Sequence, residues 1–248
     1  GIEGAAFATV IAQYVSGIGI TIYVLHSCKD LLPGKEELCF DRGILGEIVN
    51  LSSLTCLQQS VMNFGILMVQ GLVNSFGATV MAAFAAAVKI DTFAYLPVQD
   101  FGNAFSTFVA QNYGAGNQER IRKGTRVAFA MSIGFSVMIS VLVCLFAGPL
   151  MKIFVSGKEV AVIAAVKYLR IEGAFYLGIG CLFLLYGYYR AIKRAEMSVV
   201  LTVISLGLRV LLAYVLSVVF GEVGIWVAIP IGWVMADVTG IVYMRRTW

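Results

Sequence analysis

The sequence predicts an all-α polytopic membrane protein, a bundle of helices that each cross the bilayer. Three observations carry this reading. Hydrophobic residues fill 60% of the 248 positions and charged residues 13%, where soluble domains hold roughly 45–50% and 25%. The apolar residues fall in blocks of the length a spanning helix needs, about 20 residues, and mean hydropathy reaches +0.89. Those blocks also lack the alternation of a membrane β-barrel. A helix satisfies its own backbone hydrogen bonds in lipid, so long apolar runs become helices there.

Seven blocks follow in order. The first, Ala5–Leu25, lacks the basic start of a signal peptide. A chain that opens on Gly1 rather than Met reads as part of a longer polypeptide, or as a processed one. The stretch "HSCKDLLPGKEELCFDRG", residues 26–43, then holds seven charged residues with Pro33 and Gly34 and reads as a polar linker. The second block, Ile48–Phe76, carries Gln58, Gln59, Asn63, Gln70 and Asn74. Of these, Asn63, Gln70 and Asn74 share one helix face, which suits either interhelical hydrogen bonds or a cavity wall. Met62, Met68 and Met81 nearby could repack around varied ligands. The third block is Val80–Val109. The fourth, Val127–Phe146, carries no charge, and Ile171–Tyr189, Val199–Phe220 and Ile225–Met244 complete the set.

Charge placement orients the bundle. Twelve basic residues, Lys29, Lys35, Arg42, Arg120, Arg122, Lys123, Arg126, Arg190, Lys193, Arg194, Arg245 and Arg246, fall on one side if every block spans. Only Lys152, Lys158, Lys167 and Arg170 fall on the other. The positive-inside rule puts the twelve in the cytoplasm, with the C-terminus, and starts Gly1 outside. The loop at Arg120–Arg126 is then a topology anchor and a contact for lipid headgroups.

Other chemistry is thinly represented. Cys56, Cys144 and Cys181 lie within spans as small apolar residues, and Cys28 and Cys39 flank a linker in a reducing compartment. The single histidine, His26, makes a poor metal site. There is no phosphate-binding P-loop, paired carboxylate set or nucleophile–base set, so neither an enzyme nor a nucleic-acid binder is expected, and no cofactor.

The ionisable residues inside the blocks are the informative ones. A charge at mid-membrane costs about 2.5–3.5 kcal/mol by insertion scales, and such groups face a cavity or a partner. In "AAFAAAVKIDTFAYLPVQD", residues 82–100, Lys89 and Asp91 stand roughly 200° apart around a helix and cannot pair along it. Asp91, Tyr95, Gln99 and Asn103 recur every four residues as a polar stripe. Pro97 lacks an N–H and crowds the carbonyl of Phe93, which predicts a kink. Arg209 and Asp237 differ in depth by about 6 Å and are expected to form a structural salt bridge. Glu172 is expected near the outer face, paired with Arg170 or snorkelling.

The first and last blocks echo one another. Gly1, Gly4, Ala8 and Tyr23 match Gly221, Gly224, Ala228 and Tyr243 at a constant offset of 220 positions. This suggests two lobes of similar length, each ending in such a helix.

Several motifs carry a family resemblance. "KIDTFAYLP" (89–97) with "QNYGAGNQERIRKG" (111–124) resembles the eighth helix and following loop of the multidrug and toxic compound extrusion (MATE) transporters. "KYLRIEG" (167–173) and "GEVGIWVAIPIGW" (221–233) are similar to the approaches to that family's tenth and twelfth helices. "GYYRAIKRAEMS" (187–198) is similar to an altered form of its Leu-Arg-Gly-x-x-Asp-Thr signature. The resemblance implies a twelve-helix transporter of two lobes, with this chain supplying helices six to twelve. Residues 1–25 would end the first lobe, 26–47 would be the cytoplasmic linker, and 48–248 would be the second lobe.

There are departures. Some members place a cation-binding glutamate in the seventh helix and an aspartate in the tenth; the matching stretches hold no acid after Glu47 and none in 175–187. The proline that many members carry early in the seventh helix is also missing from 50–60.

The expectation is a transporter of the bacterial inner membrane that exchanges Na⁺ or H⁺ for organic, cationic drugs or metabolites. Its partners would be the bilayer, small organic substrates and the missing N-terminal lobe. Lys89, Asp91, Tyr95, Gln99, Asn103, Asn63 and Gln70 are the expected pathway residues, with Asp91 taking a cation or proton and Lys89 tuning it or binding a neighbouring helix. Two alternatives stand beside it: a lipid-linked precursor flippase, which would want a strongly basic cavity, and a non-transporting half-transporter scaffold, which would have no cavity.

Overall fold

The structure is a computed structural model that describes residues 2–27, 34, 40–154 and 159–247. Gly1, Cys28, Lys29, Pro33, Lys35, Cys39 and Lys158, on which parts of the linker, repeat and charge readings rest, lie outside the described residues. Eight helices account for nearly all of the rest: α1 (Ile2–Ser27), α2 (Arg42–Asn74), α3 (Ala78–Gly114), α4 (Gln118–Phe154), α5 (Glu159–Gly173), α6 (Tyr176–Ala191), α7 (Ala195–Phe220) and α8 (Glu222–Thr247). No strand occurs among the described residues.

Two compact units divide the chain, Gly1–Val49 and Asn50–Trp248, and α2 runs across the boundary. The first unit contains α1, which is apolar on all sides and long enough to cross a bilayer.

In the second unit α2, α3, α4, α7 and α8 each have the length and hydropathy of a span. The fifth expected block differs. Its span does not begin at Ile171 but at α5, and it breaks at Ala174–Phe175, where α5 and α6 meet at 51°. Short backbone bonds tighten the corner, Phe175 N to Glu172 O at 3.0 Å and Gly178 N to Phe175 O at 2.8 Å. Among the described residues six helices have the length and apolarity of a span, and the bent pair makes a seventh if it is taken as one crossing. By contrast α3 runs through Pro97 as one helix.

Helix packing in lipid relies on close backbone approach, because lipid tails are as apolar as the helices themselves. Two glycines show how far this goes. A Cβ on Gly187 of α6 would stand 2.6 Å from the carbonyl oxygen of Gly102 in α3, and one on Gly232 of α8 would stand 2.3 Å from that of Ser205 in α7. Both neighbours are backbone and cannot turn aside. Near the starts of α3 and α8 the core is rich in aromatics: Phe84 stacks on Trp226 at 5.4 Å, and Tyr168 meets Trp226 edge-on at 4.9 Å. This triangle fixes α5 against α3 and α8.

Gly232→Ala is expected to lower the melting temperature of the full-length protein in detergent, at an overpacking cost of about 1–3 kcal/mol. Gly207→Ala, whose Cβ meets nothing within 4 Å, is the matched control and should not lower it.

Candidate functional site

The site forms where the bent span meets α3. Tyr168 and Glu172 stand four residues apart on one face of α5, and Tyr176 continues that line past the corner into α6. Asp91 of α3 faces all three. The Tyr176 hydroxyl donates to Asp91 Oδ1, and Tyr168 and Glu172 also lie within hydrogen-bonding reach of the Asp91 carboxyl. Asp91 is 3% exposed and Glu172 6%. Asp91 Oδ2 and Glu172 Oε2 have no hydrogen-bond partner among the described residues. Two carboxyls therefore face each other in a protein interior, each with a free oxygen.

Arg209 of α7 completes the charged set. It acts electrostatically on both Asp91 and Glu172, yet no ion pair joins it to either, and its Nε is buried without a partner among the described residues. These groups line a cavity of about 290 Å³. Tyr95, Gln99 and Ile179 extend its wall along α3 and α6, Met62 and Gln70 reach it from α2, and Trp233 closes it from α8.

The polar stripe on α3 is thus partly as expected: Asp91, Tyr95 and Gln99 share the cavity. Asn103 does not; its Oδ1 accepts from Arg190 Nη2 at 3.4 Å. Gln70 lines the cavity, whereas Asn63, about two turns away along the same face of α2, is exposed and is not among the cavity residues. Lys89 is exposed and is not among the cavity residues. A step of two residues turns it to another side of α3 from Asp91.

The expected Arg209–Asp237 bridge does not form. Gly232 lets α8 press so closely on α7 that its Cβ position lies 3.4 Å from the Arg209 Cβ. The guanidinium leaves that seam for the cavity, where two carboxyls attract it rather than one. Asp237 is buried against Gly178, where a Cβ would stand 3.6 Å from Asp237 Oδ2, and its Oδ1 has no partner among the described residues.

Glu172, Tyr168 and Tyr176 are the residues the sequence reading missed as a set. The signal was present in the i, i+4, i+8 spacing of Tyr168, Glu172 and Tyr176, and in the apolar run before Lys167 that moves Glu172 away from a span end.

The comparisons agree with this architecture. The MatE family profile matches residues 54–215. The chain belongs to the MatE family. It is 28% identical over 251 residues to the probable multidrug resistance protein YpnP of Bacillus subtilis, covering 99% of this chain and 55% of that protein. To the probable multidrug resistance protein NorM of Thermotoga maritima it is 25% identical over 237 residues, covering 92% and 49%. The chain spans about half the length of the curated relatives it matches. Among solved structures, an outward-facing multidrug resistance MATE family transporter superposes with a TM-score of 0.90 at 22% identity, covering all of this chain and 56% of the other. The bent form of the Vibrio cholerae MATE transporter VcmN gives 0.87 at 21%, covering 99% and 56%. This MatE chain is therefore a multi-pass membrane protein that matches about half of a transporter fold.

Tyr176→Phe removes the hydroxyl that Asp91 accepts from. Interhelical hydrogen bonds in membranes are worth about 0.6–1.7 kcal/mol. A lower melting temperature of the full-length protein is expected, measured beside Tyr14→Phe, which lies in the other unit.

Proposed function

We propose that this chain is the second half of a secondary transporter that exports small organic, cationic compounds by alternating access, driven by inward movement of H⁺ or Na⁺. The observation that supports it best is the pair of facing carboxyls, Asp91 and Glu172, buried at lipid depth beside a cavity with an oxygen free on each. Ionisable groups in a span are costly, and where they occur they mark ion and substrate pathways. Transporter sites also lie near mid-membrane, where a broken helix opens backbone and side chains to a cavity; the α5–α6 corner is such a break.

The chemistry follows from charge. When the pair holds a proton or a metal cation, its negative charge is offset and organic cations bind poorly. When the ion leaves, the carboxyls attract a cationic cargo, so the two occupants exchange at one place. Tyr176 holds Asp91 in position, and the aromatic triangle holds Tyr168 and Glu172. Basic residues gathered at one side of the bundle favour a cytoplasmic C-terminus and, given the bacterial relatives, the inner membrane. A strongly basic cavity of the flippase kind does not suit this site, where Arg209 stands against two acids; nor does a solid scaffold, given the cavity itself.

Drug efflux from cells expressing the full-length protein tests the reading. Asp91→Asn keeps the side-chain shape and is expected to cut efflux by at least about tenfold, the equivalent of about 1.4 kcal/mol. Lys89→Gln, outside the cavity, should leave it at the wild-type level. Unimpaired export by Asp91→Asn with an unchanged pH dependence would rule out the pair as the coupling site.

A further inference from the structure

A second cavity lies away from the carboxyl site, along the seam between α3 and α4. It holds about 670 Å³ and adjoins a smaller one of about 210 Å³, with Phe101 and Met131 in both linings. Ala104, Val127 and Met131 on its walls are exposed, so it opens to lipid. Together the two form one groove, which starts at Arg120 and Lys123 and ends at Pro97 and Phe135. The step from Arg120 to Phe135 along the unbroken α4 is about 22 Å. Half a bilayer, headgroups included, measures roughly 20–22 Å. The groove is therefore one leaflet deep, with its charges at one end.

The charged end is asymmetric. Glu119 pairs with Lys123 at 2.7 Å, so these two charges offset each other. Arg120 makes no ion pair among the described residues; its guanidinium lies 5.7 Å from the centroid of the Phe108 ring instead. Gly124 makes room for that ring, since a Cβ there would collide with it. One cation is thus left uncompensated and held above an apolar trough. Phe101, Phe105, Val127 and Met131 line the trough. At the deep end Ser132 turns its hydroxyl to α6, 3.0 Å from where a Gly180 Cβ would stand, and the other lining residues there are apolar.

We propose that this groove seats one anionic phospholipid, its phosphate on the guanidinium of Arg120 and an acyl chain along the trough between α3 and α4. Anchoring a topology needs only charge at a helix end; here a groove of chain length continues from the charge. Guanidinium meets phosphate in a forked geometry that an ammonium side chain does not reproduce. A zwitterionic lipid would bring an ammonium as well, and the acid at the mouth, Glu119, is already taken by Lys123. An anionic headgroup leaves no such charge unanswered. The seat shares no residue with the carboxyl cavity, so it stands or falls separately from the transport reading.

Native mass spectrometry of the full-length protein in detergent tests this, with phosphatidylglycerol and phosphatidylethanolamine of matched acyl chains as probes. The wild type is expected to bind its first phosphatidylglycerol at least about tenfold more tightly than its first phosphatidylethanolamine. Arg120→Gln should bring the two within about twofold, and Arg120→Lys, which keeps the charge without the fork, should retain part of the preference. Arg126→Gln removes a charge from the same end of α4 but outside the groove and should leave the preference intact. Ala104→Trp fills the trough without a change of charge and should weaken phosphatidylglycerol by at least about tenfold. Arg120 and Ala104 are both exposed, so these substitutions leave the packed core untouched. The proposal is overturned if the wild type shows no preference, or if Arg126→Gln lowers it as far as Arg120→Gln, which would mean a general surface charge. It is equally overturned if Ala104→Trp binds as well as wild type, since the headgroup alone would then be held. Displacement of the lipid by glycerol phosphate at equal concentration would identify a free phosphate ester as the ligand and also overturn it.

Discussion

Everything in the second unit is arranged around carboxylates that have been carried into lipid depth without direct compensation. A buried carboxylate with a spare oxygen is unstable company for an apolar bundle, and a chain keeps it only where the surrounding helices cannot collapse over it. The helices that could collapse are held off by specific contacts. Tyr176 donates to Asp91 from beyond the corner of the bent span, and Phe84 and Trp226 brace Tyr168 from the other side. The cavity exists because its walls are fixed elsewhere, at glycine seams where backbone meets backbone.

The broken span is what brings the acids together. A straight helix through 159–191 would carry Glu172 and Tyr176 past α3 along one line. The 51° bend turns the line at Ala174–Phe175, so residues on both arms converge on Asp91. The stretch 175–187 holds no acid, and the carboxyl that this region presents to α3, that of Glu172, lies on the other arm of the break.

Much of this was legible in the sequence, for reasons that differ by feature. The spans could be read because lipid demands length and apolarity, and each block supplies both without help from tertiary contacts. Asp91, Tyr95, Gln99 and Gln70 could be read because a polar face that recurs with the helical period has to turn somewhere other than lipid. Lys89 shows the limit of that argument: being ionisable within a span does not say which side of the helix a residue occupies, and two positions of chain turn it away from Asp91. Arg209 and Asp237 matched in depth, but depth is one coordinate, and the arginine lines a cavity that it shares with two other acids, Asp91 and Glu172. Glu172 was hidden by treating a span as a straight rod. Its i, i+4, i+8 companions were visible, yet their meaning depends on a corner that local pattern does not announce.

The seam between α7 and α8 has a mechanical consequence. With the Gly232 Cα seated on the backbone of Ser205 and the Gly224 Cα on that of Leu216, neither helix can slide along the other without steric collision. Arg209 and Trp233 are therefore two fixtures on one rigid plate. The rest of the chamber is walled by α2, α3 and the two arms of the jointed span, which among the described residues have no such seam against this plate.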